Sequence, residues 1–204
     1  MPRINYIELV EEIGSGGTAS VMLGVDLNSG YPVAVKVLYK SLFKNETLRE
    51  KFIAEANHYL YLSHPNIVDL KDFFIKKDAY YLVMEYIEGD TLENYINKIS
   101  GPIPEEVAAP MLKEVLSAIG YAHGEEVVHL DIKPSNIMIT EDGDIKVLDF
   151  GISTELNKEL SGSIMGSPMY MSPEQVNGEK VDSRTDIYAL GCTFHQMLTA
   201  KLPY

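Results

Sequence analysis

Apolar and polar residues follow two different periods along this chain, and the change of period divides it. Tyr6 to Ile13 is apolar-rich, Gly14-Ser15-Gly16-Gly17 marks a turn, and Val21 to Val25 resumes an extended run. Asn28-Ser29-Gly30 is a hairpin signal, followed by the β-branched run Val33-Ala34-Val35-Lys36-Val37. From Glu46 to Leu62 the spacing turns helical, with Phe52, Glu55 and Tyr59 at i, i+3 and i+7. Further strands are predicted around Ile67 to Ile75 and Tyr80 to Tyr86.

Past Glu88-Gly89-Asp90 the pattern becomes mainly helical. Thr91 to Ile99 predicts a short helix. Pro104 to His123 predicts a long amphipathic one, with Val107, Met111, Val115, Ala118 and Ile119 on its apolar side. Pro110 has no backbone N–H, which predicts a kink or a late helix start. Short strands are expected on either side of the turn Glu141-Asp142-Gly143-Asp144. A last helix is expected from Ser183, capped by that hydroxyl with Asp186 three residues on, and turning Ile187, Leu190, Phe194 and Met197 inward. The pattern is that of a β-rich small lobe joined to a helical lobe.

Composition narrows the function classes. The 204 residues are 46% hydrophobic and 23% charged, a globular balance with enough apolar surface for a core. A net charge of −13 argues against a non-specific nucleic-acid binder, which needs a basic face to release counterions. The single cysteine, Cys192, leaves no internal disulfide and too few thiols for a zinc cluster, which suits a reducing compartment. Met1 to Glu12 carries no secretory pattern, and no apolar run approaches the length of a membrane span. A cytoplasmic protein without a membrane segment is expected.

Three stretches carry chemistry. Gly14-Ser15-Gly16-Gly17-Thr18-Ala19 approximates G-x-G-x-x-G, with Ala19 in the place of the third glycine. A dinucleotide fold needs a helix after that turn, and here a second strand follows, so the loop is a flap between strands whose N–H groups can lie over phosphates. No Gly-Lys-Ser/Thr follows, which excludes a Walker loop. Lys36 lies in an otherwise apolar strand, where a buried ammonium needs a carboxylate, and Glu55 on the inner face of the next helix suits it. The third stretch is His129-Leu130-Asp131-Ile132-Lys133-Pro134-Ser135-Asn136, followed thirteen residues later by Asp149-Phe150-Gly151. Turn chemistry does not explain four polar groups at fixed offsets between the apolar runs Val127-Val128 and Ile137-Met138-Ile139. His58, His64, His123 and His195 form no ligand spacing and are expected to pack or face solvent. His129 is expected under Phe150, and Cys192 as an inert core thiol.

In order along the chain, these stretches, with Met84-Glu85-Tyr86, His64-Pro65-Asn66-Ile67-Val68 and Tyr170-Met171-Ser172-Pro173-Glu174-Gln175, resemble the motifs of protein kinases. They look most like bacterial kinases of the eukaryotic type. The resemblance implies an α+β, bilobal kinase-like fold. Residues 1–87 would be an ATP-binding N-lobe of sheet plus one helix, and residues 88–204 a helical C-lobe lacking its last helices. It implies transfer of the ATP γ-phosphate, with Mg2+, to serine or threonine of a protein substrate. The other class carried alongside is a nucleotide-binding pseudokinase or scaffold.

The same resemblance assigns roles. Ile13, Gly14, Ser15, Gly16, Gly17, Thr18, Ala19, Ser20 and Val21 would form the flap over ATP. Lys36, braced by Glu55, would hold phosphates, and Val21, Ala34 and Met138 would enclose adenine. Glu85 and Ile87 would read the base edge through their backbones, with Met84 as gatekeeper. Asp131 would accept the substrate hydroxyl proton, Lys133 would neutralise charge near the γ-phosphate, and Asn136 and Asp149 would ligate magnesium. Lys133-Pro134, with Ser167 before Pro168, resembles serine/threonine kinases, while Thr91 and Ser135 stand where arginine-directed kinases place acids. Leu130 departs from the family, which usually has arginine there to receive an activation-loop phosphate, so Ser153, Thr154, Ser161 or Ser163 could not act through that contact. The family usually pairs Glu174 with an arginine beyond the region matched here. Either self-association or marked instability is therefore expected at an uncovered end carrying Phe194, Met197, Leu198 and Leu202.

Overall fold

The computed structural model describes residues 3–15, 19–39, 46–76, 79–150 and 168–203. They group into two compact units, Met1–Leu62 with Asp69–Ile87, and Ser63–Val68 with Glu88–Tyr204. The first holds a six-stranded antiparallel sheet in the order β1-β2-β3-β4-β6-β5, and the second a small sheet in the order β7-β8-β9 among helices. The chain is thus a mixed α+β protein with a β-rich first unit and a helical second one.

In the first unit the strands are β1 (Arg3–Ile4), β2 (Ile7–Ser15), β3 (Ala19–Asp26), β4 (Pro32–Tyr39), β5 (Leu70–Lys76) and β6 (Ala79–Glu85). The β3–β4 turn forms because the Asp26 carboxylate accepts the Asn28 N–H at 2.8 Å and Gly30 supplies a φ of 77°. That Asn28 bond also holds the Asp26 carboxyl below the usual range. Alternation sorts β4 onto two faces. Val33, Val35 and Val37 join Ile7, Leu9, Ala79 and Val83 in one buried cluster. The sheet curls over this cluster until its edges meet, where Tyr6 Oη donates to Asp72 of β5 at 2.5 Å. Burial, and then that carboxylate, push the Tyr6 phenol well above its ordinary pKa.

The opposite face of β4 presents Ala34, Lys36 and Leu38. Helix α1 (Glu46–Tyr59) packs there through Phe52, whose ring centroid lies 5.2 Å from Tyr80 and 5.8 Å from Phe73. The helix ends at Tyr59, three residues before the predicted end, and the strand expected from Ile67 begins at Leu70. Ile67 and Val68 instead belong to the second unit, where Val68 N–H donates to the Val147 carbonyl at 2.9 Å.

The second unit comprises β7 (Gly89–Thr91), α2 (Leu92–Asn94, continuing as a π-helical turn Tyr95–Ser100), α3 (Glu105–Gly124), β8 (Ile137–Thr140), β9 (Ile145–Val147), α4 (Pro173–Asn177) and α5 (Ser183–Thr199). Helix α3 starts at Glu105 and runs through Pro110, so the late start is not observed. It buries Ala108, Val115, Ala118, Ile119 and Ala122 and leaves Val107 exposed. Helix α5 packs against α3 and buries Ala189, Leu190, Cys192 and Met197. Its cap is Asp182, which accepts the Arg184 N–H at 2.9 Å, and not Ser183. The Arg184 guanidinium on the Asp182 carboxylate holds the latter at a pKa of about 2. Leu190 and Met197 face inward as expected, and Met197, at 1% exposed, is therefore no contact of an uncovered end, whereas Ile187, also expected inward, is 58% exposed. Phe194, Leu198 and Leu202 are half-buried. Burial raises the Cys192 thiol pKa, which fits an inert core position.

Gly89 closes the small sheet. It stands opposite Thr140, and a Cβ added to it would lie 2.1 Å from the Ile139 carbonyl oxygen, a backbone atom that cannot swing away. Gly89→Ala should therefore destabilise the second unit by roughly 2–3 kcal/mol. Denaturant melts check this, and an unchanged midpoint would show that β7 moves aside at no cost.

Candidate active site

The loop between α3 and β8 is shaped by groups that are themselves buried. Asp186, in the first turn of α5, has no solvent exposure. Its Oδ1 accepts the Leu130 N–H at 2.8 Å, and its Oδ2 accepts the His129 N–H at 2.8 Å. His123 Nε2 lies 2.7 Å from the same Oδ2. A buried carboxylate is tolerable only with its oxygens bonded in this way. The charge-assisted bonds in turn fix where the loop begins.

His129, also fully buried, is a structural hub. Its Nδ1 accepts the Asp131 N–H at 3.2 Å, so Nε2 carries the proton that bonds the Leu148 carbonyl at 2.8 Å. Its ring lies 4.6 Å from that of Phe150, as the sequence led us to expect. Leu148 N–H donates to the Asn136 carbonyl at 2.9 Å, which brings Asp149 beside Asn136. Two residues in this region have left-handed backbones, Leu130 at φ 65° and Asp149 at φ 57°. Each costs about 1–2 kcal/mol for a residue with a Cβ, which the surrounding bonds offset.

Within that frame Asp131, Lys133 and Asn136 come together. Lys133 Nζ donates to both Asp131 carboxylate oxygens, at 2.8 and 3.1 Å. Asn136 Nδ2 donates to the Asp131 carbonyl at 2.8 Å and to its Oδ2 at 3.0 Å. The Asp131 side chain keeps 31% of its surface open, so its carboxylate is oriented yet reachable. Chemically this is a proton acceptor beside a fixed cation. The Asn136 nitrogen is committed to Asp131, which leaves its amide oxygen as a candidate ligand, and the Asp149 carboxylate is a second. Among the described residues no cluster of three or more His, Cys, Asp or Glu could hold a metal. Two hard oxygens suit magnesium, which keeps waters and takes phosphate oxygens as further ligands.

In the first unit, Lys36 is 8% exposed and lies in register between Val21 of β3 and Leu82 of β6. Ala34 lies on the same face, opposite Leu23 and Met84, and Met84 is buried. Ile13, Gly14, Ser15, Ala19 and Ser20 lie at the ends of β2 and β3 around the tip of that hairpin. Glu85 ends β6, its N–H donating to the Asp69 carbonyl at 2.9 Å, and Ile87 follows it. Met138 lies in β8 of the second unit, opposite Thr91 and Lys146. Gly16, Gly17, Thr18, Gly151, Ser153, Thr154, Ser161, Ser163 and Ser167, and the side chain of Glu55, lie outside the described residues.

The family model for the protein kinase domain matches residues 7–204. The chain belongs to the protein kinase family. It is 40% identical over 200 residues to the serine/threonine-protein kinase PrkC of Bacillus subtilis, covering 97% of this chain and 31% of that protein. It is 36% identical to the probable serine/threonine-protein kinase PknB of Bifidobacterium longum, over 97% of this chain and 30% of that protein. With the serine/threonine-protein kinase PknB of Mycobacterium leprae the figures are 35%, 97% and 33%. The chain spans about a third of the length of these curated relatives. No helix among the described residues is long and apolar enough to cross a membrane.

Sequence reasoning missed the supports of this kinase loop. Asp186 was read as part of a helix cap, yet the helical spacing 186, 189, 190, 193 and 197 sets it on the stripe of residues that α5 buries. A carboxylate on an otherwise buried stripe was the available signal. Glu174, expected to need a distant arginine, accepts the Thr185 hydroxyl at 2.7 Å, which lowers its pKa. Tyr170 donates to Gln196 within the second unit, and burial raises its pKa to about 12.

Removing the Asp186 carboxylate leaves the His129 and Leu130 amides without acceptors. Each orphan costs about 1–3 kcal/mol, so Asp186→Ala should lose roughly 2–6 kcal/mol. Equilibrium urea unfolding measures this, and a loss under about 0.5 kcal/mol would contradict the anchoring role.

Proposed function

We propose that this kinase domain transfers the γ-phosphate of ATP, with magnesium, to serine or threonine hydroxyls of protein substrates. The observation that carries the proposal is the bonding of Lys133 and Asn136 to Asp131 on one braced loop, with Asp149 following the neighbouring strand β9. Phosphoryl transfer asks a protein mainly for positioning and charge neutralisation, and this set offers both.

Asp131 orients the attacking hydroxyl and accepts its proton. Lys133, bonded to that carboxylate, keeps a positive charge beside the transferred group. Asn136 and Asp149 would hold magnesium through their oxygens, and the ion would supply positive charge to the phosphate. Lys36 would hold phosphates, and Val21, Ala34 and Met138 would enclose the base with Met84 as gatekeeper. Lys133-Pro134 after Asp131 favours serine and threonine over tyrosine, in line with the names of the relatives.

One experiment separates binding from chemistry. The protein is incubated with ATP and magnesium, sites are mapped by mass spectrometry, and ATP–magnesium binding is followed by calorimetry. Asp131→Ala should lose transfer by a hundredfold or more while binding nucleotide normally, since general-base removal typically costs about 10²–10⁴. Asp149→Ala should weaken ATP–magnesium binding sharply. Equal binding loss in both variants would overturn the assigned roles, and predominant phosphotyrosine would overturn the substrate class. Tight binding by the wild type without transfer would favour a nucleotide-binding scaffold.

A further inference from the structure

Helix α4 opens with a capping box in which both bonds are made. Gln175 N–H donates to Ser172 Oγ at 3.4 Å, and Ser172 N–H donates to Gln175 Oε1 at 3.0 Å. A glutamate would serve that cap as well, because the cap asks its third residue for an acceptor only. Gln175 uses the rest of its amide elsewhere. Its Nε2 donates to the Leu130 carbonyl at 2.9 Å, and the residue is 9% exposed. The amide orientation is fixed from both ends, since a flip would set N–H against N–H and oxygen against oxygen.

The peptide joining Leu130 to Asp131 is therefore held at both polar atoms. Its N–H donates to His129 Nδ1 at 3.2 Å, and its carbonyl accepts from Gln175. That peptide plane follows the left-handed Leu130 and sets the direction of the Asp131 Cα–Cβ bond. We propose that Gln175 is a positioning residue for phosphoryl transfer, tying α4 to the catalytic loop through the Leu130 carbonyl and so aiming the Asp131 carboxylate. Its kinetic consequence rests on the kinase reading above, and its structural consequence rests on the geometry alone.

Gln175→Glu keeps an acceptor for the Ser172 N–H and removes the donor to Leu130. Ser172→Ala does the reverse, weakening the cap and keeping the donor. In Gln175→Glu we expect kcat to fall about tenfold or more and the KM for ATP to change less than twofold. Amide hydrogen exchange across residues 129–133 should quicken at least threefold, while exchange in α5 stays unchanged. Ser172→Ala should lower the melting temperature and leave kcat within twofold. If Gln175→Glu does not fold, Gln175→Met, similar in length and without a donor, takes its place under the same criteria. Unchanged exchange across residues 129–133 overturns the proposal, as does an equal loss of kcat in Ser172→Ala. If the wild type transfers no phosphate, the kinase reading fails, and the exchange measurement by itself upholds or overturns the tie.

Discussion

A carboxylate with no contact to solvent holds the functional half of this molecule in place. Burying the charge of Asp186 costs several kcal/mol, and only bonds of good geometry offset that cost. The bonds it makes are two backbone amides of the loop between α3 and β8 and the His123 side chain, all between 2.7 and 2.8 Å. The loop cannot shift without leaving that charge unpaired, so its position is set by the place of Asp186 on α5. Helix α5 is fixed in turn by its packing on α3, which makes the apolar core of the second unit the foundation of its chemistry. The strain at Leu130 and Asp149 is sustained by the same frame.

The first unit solves a different problem, that of placing one cation in an apolar sheet. Alternation along β4 gives Val33, Val35 and Val37 to the core and Ala34 and Lys36 to the other face. Closing the sheet edge to edge at Tyr6 and Asp72 lets that core exclude water, while α1 packs on the Lys36 face through Phe52. The same strand thus supplies both stability and a phosphate-binding candidate, which is why its residues alternate so strictly in chemistry.

Much of this was legible in the chain itself. Strand and helix periods located the longer elements, whose pattern reports a buried face, but not β1, β7 and α4, which at two to five residues are too short to show a period. The bonded trio Asp131, Lys133 and Asn136 was legible because turn chemistry alone does not call for it. The supports were not legible, since they depend on residues more than forty positions apart, as between Gln175 and Leu130 or Asp186 and His129. Local capping rules even misdirected the reading of Asp186, whose sequence neighbours fit a cap while its tertiary partners lie on another loop. The inward face of α5 was misjudged at Ile187 because one helix offers several similar apolar stripes, and packing against α3 chooses among them.

The claim that a buried carboxylate fixes the loop between α3 and β8 is tested most directly by residue-resolved amide exchange in the wild-type protein. The His129 and Leu130 amides, though in a loop, should exchange as slowly as the interior amides of α5, within about tenfold. Exchange at the rate of an open loop, with α5 still protected, would contradict the account.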